Sequence, residues 1–172
     1  GYSDSNIVKM TKQFPVLFSL SNDNMEDKFN YLKNKDYSEQ DIIKMTRQLP
    51  TLFSLNNKNI EEKINYLKGK GYKESDIIKM TKILPAIFSL SNENIDNKIE
   101  FYKEIGLEDI IIHDTMKMMQ SVELTYARYR FLSDLEMTPN KGNYNKLFYR
   151  QEYFIQKYGI TNDELLNKYP YN

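Results

Sequence analysis

Apolar and polar positions along this chain follow a helical rhythm that restarts every 35 residues. In the first round Ile7, Met10, Thr11 and Phe14 fall on one face at about 100° per residue, and Lys9, Lys12 and Gln13 fall on the opposite face. Ser3 is placed to cap this helix, with Asp4 in its first turn complementing the dipole. Pro15 ends it, because proline lacks an N–H and disfavours helical geometry in the residue before it. Pro50 and Pro85 act likewise in the next two rounds. The stretch Val16–Leu20 is too short for a full α-helix and predicts a 3₁₀ turn that drops Leu17, Phe18 and Leu20 into the core. A second helix follows, capped by Ser21 (Asn56 and Ser91 in later rounds), with Met25, Phe29 and Leu32 opposite Asp27, Asn30 and Asn34. Gly71 and Gly106 suit the helix C-terminus; Asp36 replaces glycine at the first junction and predicts a softer stop.

Residues 1–35, 36–70 and 71–105 align without a gap, the first two sharing 21 of 35 positions and the second and third 19. One helix–turn–helix unit cannot bury both its helices, whereas stacked units share a continuous core. A divergent fourth unit spans 106–132: Phe131 follows Phe101 by 30 residues, so this unit is about five residues shorter, and Gln120 stands at the periodic proline position. The Pro, Asn and Gly of Asp134–Gly142 predict a loop, Asn143–Tyr158 a helix, and Thr161 with Glu164 a capping box on a last short helix. The chain therefore reads as one all-α domain, an α-solenoid (superhelix) of ~35-residue helical repeats over residues 1–132, closed by a helical cap over 133–172.

Composition narrows the chemistry. The 172 residues include no Cys and one His, which removes disulfides, thiolate zinc sites and His-pair metal motifs. No cofactor and no metal are expected. Lys+Arg and Asp+Glu number 24 each, so nothing points to a globally basic polyanion binder, although a local basic stripe remains compatible with this total. No apolar run approaches the ~20 residues of a bilayer span; no membrane partner is expected, and cytoplasmic residence and a monomeric state are the default expectations. Gly1 opens directly on a repeat, which suggests a removed upstream segment or a cloning remnant.

The strings DIIKMTRQLPTLFSL (41–55) and DIIKMTKILPAIFSL (76–90), followed by NIEEKINYLKGKGY (59–72) and NIDNKIEFYKEIGL (94–107), resemble the repeat of the mitochondrial transcription termination factor (mTERF) family. Tyr126–Leu132 is similar to the Arg-Tyr-x-x-Leu element near the end of family members, and Tyr153–Tyr158 to their C-terminal Phe-x-x-Lys-Tyr helix. The resemblance implies a left-handed α-solenoid that binds nucleic acid along a basic face and acts in transcription, translation or ribosome assembly. Members are usually basic; this chain is neutral.

The first helices offer a candidate surface. Lys9, Lys44 and Lys79 share one repeat position and Lys12, Arg47 and Lys82 another, all on the predicted solvent side. Two parallel cationic rows suit the phosphates of a nucleic-acid backbone, DNA or RNA. Lysines late in a helix also complement its dipole and keep a repeat protein soluble. Arg128 and Arg130, next to Tyr126 and Tyr129, are further candidates for bidentate phosphate contact. Lys28, Lys63 and Lys98 form a third row at the edge of the apolar face, which favours a structural role. His113 beside Asp114 has no nucleophile organised around it, and the chain is not expected to be an enzyme. The leading expectation is non-catalytic nucleic-acid binding; the alternative is a protein- or peptide-binding scaffold.

Overall fold

A computed structural model describes residues 1–171, all of whose regular secondary structure is helical. Two compact units divide the chain, Gly1–Asn92 and Glu93–Asn172.

In the first unit each repeat is a helix, a 3₁₀ turn and a second helix. The first helices are α1 (Asp4–Gln13), α3 (Glu39–Gln48) and α5 (Glu74–Ile83); the second helices are α2 (Asn22–Lys33) and α4 (Asn57–Gly69). The 3₁₀ turns Pro15–Ser19, Pro50–Ser54 and Pro85–Ser89 each start on the repeated proline. Proline suits that place because its fixed φ fits the first helical position, where its missing N–H is not needed. The Ser3, Ser21 and Asn56 side chains accept from the N–H groups of Asn6, Asn24 and Lys58, and Ser38 forms a full capping box with Asp41. Asp36, at the junction of the first and second repeats, has φ 64°, in the left-handed region where Gly71 sits at φ 92° at the next junction.

Neighbouring repeats are joined by a recurring set of polar contacts as well as by apolar burial. Lys28 donates to the Leu55 carbonyl and the Asn57 side chain; one repeat later Lys63 donates to the Leu90 carbonyl at 2.7 Å and to the Asn92 side chain. The Tyr31 hydroxyl donates to the Asn57 carbonyl at 3.2 Å and the Glu61 carboxylate at 3.0 Å, and Lys35 pairs with Glu61 at 2.6 Å. On the first helices, the Tyr2 hydroxyl lies 2.6 Å from Thr46 Oγ1, and Tyr37 lies 2.6 Å from Thr81 Oγ1. Thr46 and Thr81 already donate to the Ile42 and Ile77 carbonyls at 2.7 Å, so the tyrosine must be the donor in each pair.

The second unit holds α6 (Asn92–Glu104, beginning at the last residue of the first unit), α7 (Ile110–His113), α8 (Val122–Asp134), α9 (Gln151–Tyr158) and α10 (Asn162–Lys168). The divergent repeat loses its residues from the first helix, since α7 has 4 residues where α5 has 10. Its 3₁₀ turn, Thr115–Met119, follows Pro85–Ser89 by 30 residues, so Thr115 and not Gln120 occupies the proline position. Gln120 corresponds instead to Leu90: its carbonyl accepts from Lys98 at 2.8 Å, as that of Leu90 accepts from Lys63. The helix expected over Asn143–Tyr158 is broken in two, a 3₁₀ turn at Tyr144–Phe148 and then α9. That pair repeats the second half of a repeat unit. Ala127, Phe154, Leu165 and Tyr169 form the buried core here, and the Thr161–Glu164 capping box starts α10.

Candidate nucleic-acid interface

The cationic positions of the first helices all belong to the first unit. Met10, Met45 and Met80 are buried on the inner side of α1, α3 and α5. Helical spacing then turns Lys9, Lys12, Lys44 and Arg47 outward, and all four are exposed. They form no ion pair with any described residue. The third pair differs. Lys82 is half-buried and reaches back to Asp41 on α3 at 3.0 Å, while the exposed Lys79 lies 3.6 Å from Asp76 on its own helix. Asp41 is held in place from two sides. Burial pushes its carboxyl up, but bonds from the Ser38 hydroxyl and the Lys82 ammonium outweigh this and hold it below the usual range. Each row thus ends in an acid-paired lysine after two unpaired cations.

Two acids of α4 pair with lysines outside these rows. Glu61 pairs with Lys35 and Tyr31, and Glu62 lies 3.8 Å from Lys58, one turn back on α4. Asp41 and Asp76 are therefore the only acids ion-paired with the cationic rows among the described residues.

The two arginines separate. Arg130 is exposed on α8 and donates to the Tyr126 hydroxyl at 3.2 Å, beside an open depression of about 450 Å³ lined also by Glu104, Tyr129 and Ser133. Arg128 corrects the expectation of a surface contact. It is 4% exposed and donates to the carbonyls of Leu147 (2.9 Å) and Tyr149 (2.6 Å) and to the Asn162 side chain (2.9 Å), with its guanidinium 4.4 Å from the centre of the Phe154 ring. The cause is register: Arg128 follows Lys98 by the same 30 residues that separate Phe131 from Phe101, so it continues the buried row Lys28, Lys63, Lys98. Burial lowers the pKa of each of Lys28, Lys98 and Arg128.

His113 is exposed, and the carboxylate of its neighbour Asp114 faces Lys117 at 3.9 Å and the Tyr144 hydroxyl at 3.4 Å. No group of three His, Cys, Asp or Glu side chains among the described residues could hold a metal ion. No helix among them is long and apolar enough to cross a membrane.

The repeat geometry can be set against known families. The model of the mTERF family matches residues 1–113, that is 113 of the 172 residues. The chain belongs to the mTERF family. Its members are helical-repeat proteins that generally bind nucleic acid and generally are not enzymes. The all-α solenoid class read from the 35-residue period agrees with that membership. The match covers the three regular mTERF repeats and the shortened α7, and so contains both cationic rows. No curated protein sequence matches the chain.

Proposed function

We propose that this mTERF-family protein binds nucleic acid without catalysis, by contacting the phosphate backbone with the outward cations of its first helices. The observation that carries the reading is the unpaired quartet Lys9, Lys12, Lys44 and Arg47, set at two repeat positions and exposed. Lys79 and Lys82 extend the rows where a phosphate competes with Asp76 and Asp41. Arg130 is a further contact on the second unit. Backbone contact gives affinity without direct sequence readout, which suits regulation of transcription or translation rather than chemistry on the polymer.

The alternative is a peptide- or protein-binding scaffold. It is favoured by the zero net charge and by the acids that cap both rows at the third repeat.

A titration with single- and double-stranded DNA and RNA, read by fluorescence anisotropy at two salt concentrations, separates the two. Four phosphate contacts predict a log–log salt slope of about −3.6 on duplex DNA. The double substitution Lys44→Ala, Arg47→Ala should weaken binding to all sequences and flatten that slope by about 2. Absence of binding at low salt would leave the scaffold reading.

A further inference from the structure

Each regular repeat receives donors from the repeat before it, except the first. In the second repeat, Tyr2 donates to Thr46, Lys28 to the Leu55 carbonyl and Asn57, Tyr31 to the Asn57 carbonyl, and Lys35 pairs with Glu61. The corresponding acceptors of the first repeat, 35 residues earlier, are Thr11, the Leu20 carbonyl, Asn22 and Glu26. None of them receives a tyrosine hydroxyl or a lysine among the described residues. The apolar positions between them are uncovered too. Phe18 is 77% exposed where Phe53 and Phe88 are 8% and 4%, and Ile7 is 40% exposed where Ile42 and Ile77 are 0% and 1%. The same side chains that are core in the second and third repeats are surface in the first.

We infer that this open face of the first repeat is a docking surface for one further helical repeat of the same kind, presenting hydroxyl and ammonium donors in the pattern of Tyr2, Lys28, Tyr31 and Lys35. The polar groups fix the partner's chemistry. Thr11 already spends its proton on the Ile7 carbonyl at 2.9 Å, so Thr11, the Leu20 carbonyl, the Asn22 Oδ1 and Glu26 each offer an acceptor, on the repeat that also exposes Ile7 and Phe18. Two copies of this face leave one another unsatisfied, because the Asn22 Nδ2 is the one donor among the four groups and otherwise acceptors would meet acceptors. A second copy cannot add its other end either. The last donor of the series, Arg128, is consumed by Leu147, Tyr149 and Asn162. What remains is a repeat whose donor face is open.

The test joins an additional copy of residues 36–70 ahead of Gly1. The new junction reproduces that between Lys70 and Gly71, since Gly1-Tyr2 aligns with Gly71-Tyr72. Circular dichroism should show one more helical unit unfolding with the rest, and a thermal midpoint above that of the 172-residue chain. Phe18→Ser should leave the midpoint of the 172-residue chain within about 1 °C and lower that of the extended chain by about 5 °C. An equal effect of Phe18→Ser in both chains, or an added copy that stays unfolded and protease-sensitive beside an unchanged midpoint, overturns the inference. So does a dimer of the 172-residue chain in sedimentation that Phe18→Ser dissolves, which would assign the face to a second copy.

Discussion

A charged lysine can be tolerated under a protein surface when its protons meet acceptors, and the repeat supplies them from backbone that is otherwise unused. The carbonyls of Leu55, Leu90 and Gln120 end their 3₁₀ turns, where no helical N–H reaches them, and Lys28, Lys63 and Lys98 fill that gap. The apolar stems of these lysines pack in the interface, which is why charged residues recur on an inward edge. Arg128 shows how far this was legible. Its place in the row follows from the 30-residue offset already visible between Phe101 and Phe131, but a lone arginine among tyrosines carries the stronger surface signal. The tyrosine–threonine pair makes the companion contact on the first helices, and its pH dependence can be worked out. Burial foremost pushes the Tyr37 phenol up to about 12, against about 10 in an unfolded chain. The folded state then keeps a proton that the unfolded chain releases, so the stabilisation is complete below about pH 10 and is lost as pH rises from there through 12. Tyr37→Phe should lower stability at neutral pH by about 1 kcal/mol. It should also remove its share of the alkaline fall, while Tyr2, Tyr31 and Tyr102, whose phenols are likewise raised, keep theirs. Urea unfolding midpoints between pH 7 and 11 measure both effects; an alkaline slope identical in the variant would show that Tyr37 is not the titrating group.

At the scale of the element, the repeated proline settled most of the outcome. It fixed where α1, α3 and α5 stop and forced the 3₁₀ turn after them, so helix, turn and helix could be placed from the chain alone. Where proline is missing the periodic reading slipped. Counting 35 residues onward led to Gln120, whereas the shortening lies wholly inside α7 and moves the turn to Thr115. The break at Tyr149 between the last 3₁₀ turn and α9 carries no proline or glycine either, and its only cue is the likeness to a half-repeat. The junctions follow a simpler rule. Asp36 adopts the same left-handed conformation as Gly71 and Gly106, so the softer stop expected there is in geometry an ordinary one, held with a side chain that conformation disfavours. Asp36→Gly should therefore stabilise the first unit by up to about 1 kcal/mol, read as a rise in the urea midpoint. A fall would mean that the entropy of the added glycine in the unfolded chain exceeds the relieved strain.

For the molecule as a whole, the balance of 24 basic and 24 acidic residues conceals an uneven arrangement. On α4 Glu61 and Glu62 are tied to Lys35 and Lys58, whereas the outward cations of α1 and α3 are unpaired and those of α5 are paired. The period of the chain was enough to place these rows, but which rungs are neutralised depends on the reach of Lys82 back to Asp41, a contact between repeats that spacing alone does not reveal. With no net charge there is little long-range attraction for a polyanion, so in the proposed function affinity comes from contacts made at the surface and should decline steeply with salt. Asp41 and Asp76 are then the residues that limit the proposed track. Replacing both, Asp41→Asn with Asp76→Asn, frees Lys82 and Lys79 and extends each row from two open positions to three. The salt slope on duplex DNA should then steepen by up to about 2, and affinity at low salt should rise. Stability should fall by about 0.3–1 kcal/mol for each acid lost from a helix N-terminus, so binding is to be measured well below the unfolding midpoint. A slope that stays where it was, in a variant still folded by circular dichroism, would take α5 out of the nucleic-acid surface and confine contact to Lys9, Lys12, Lys44 and Arg47.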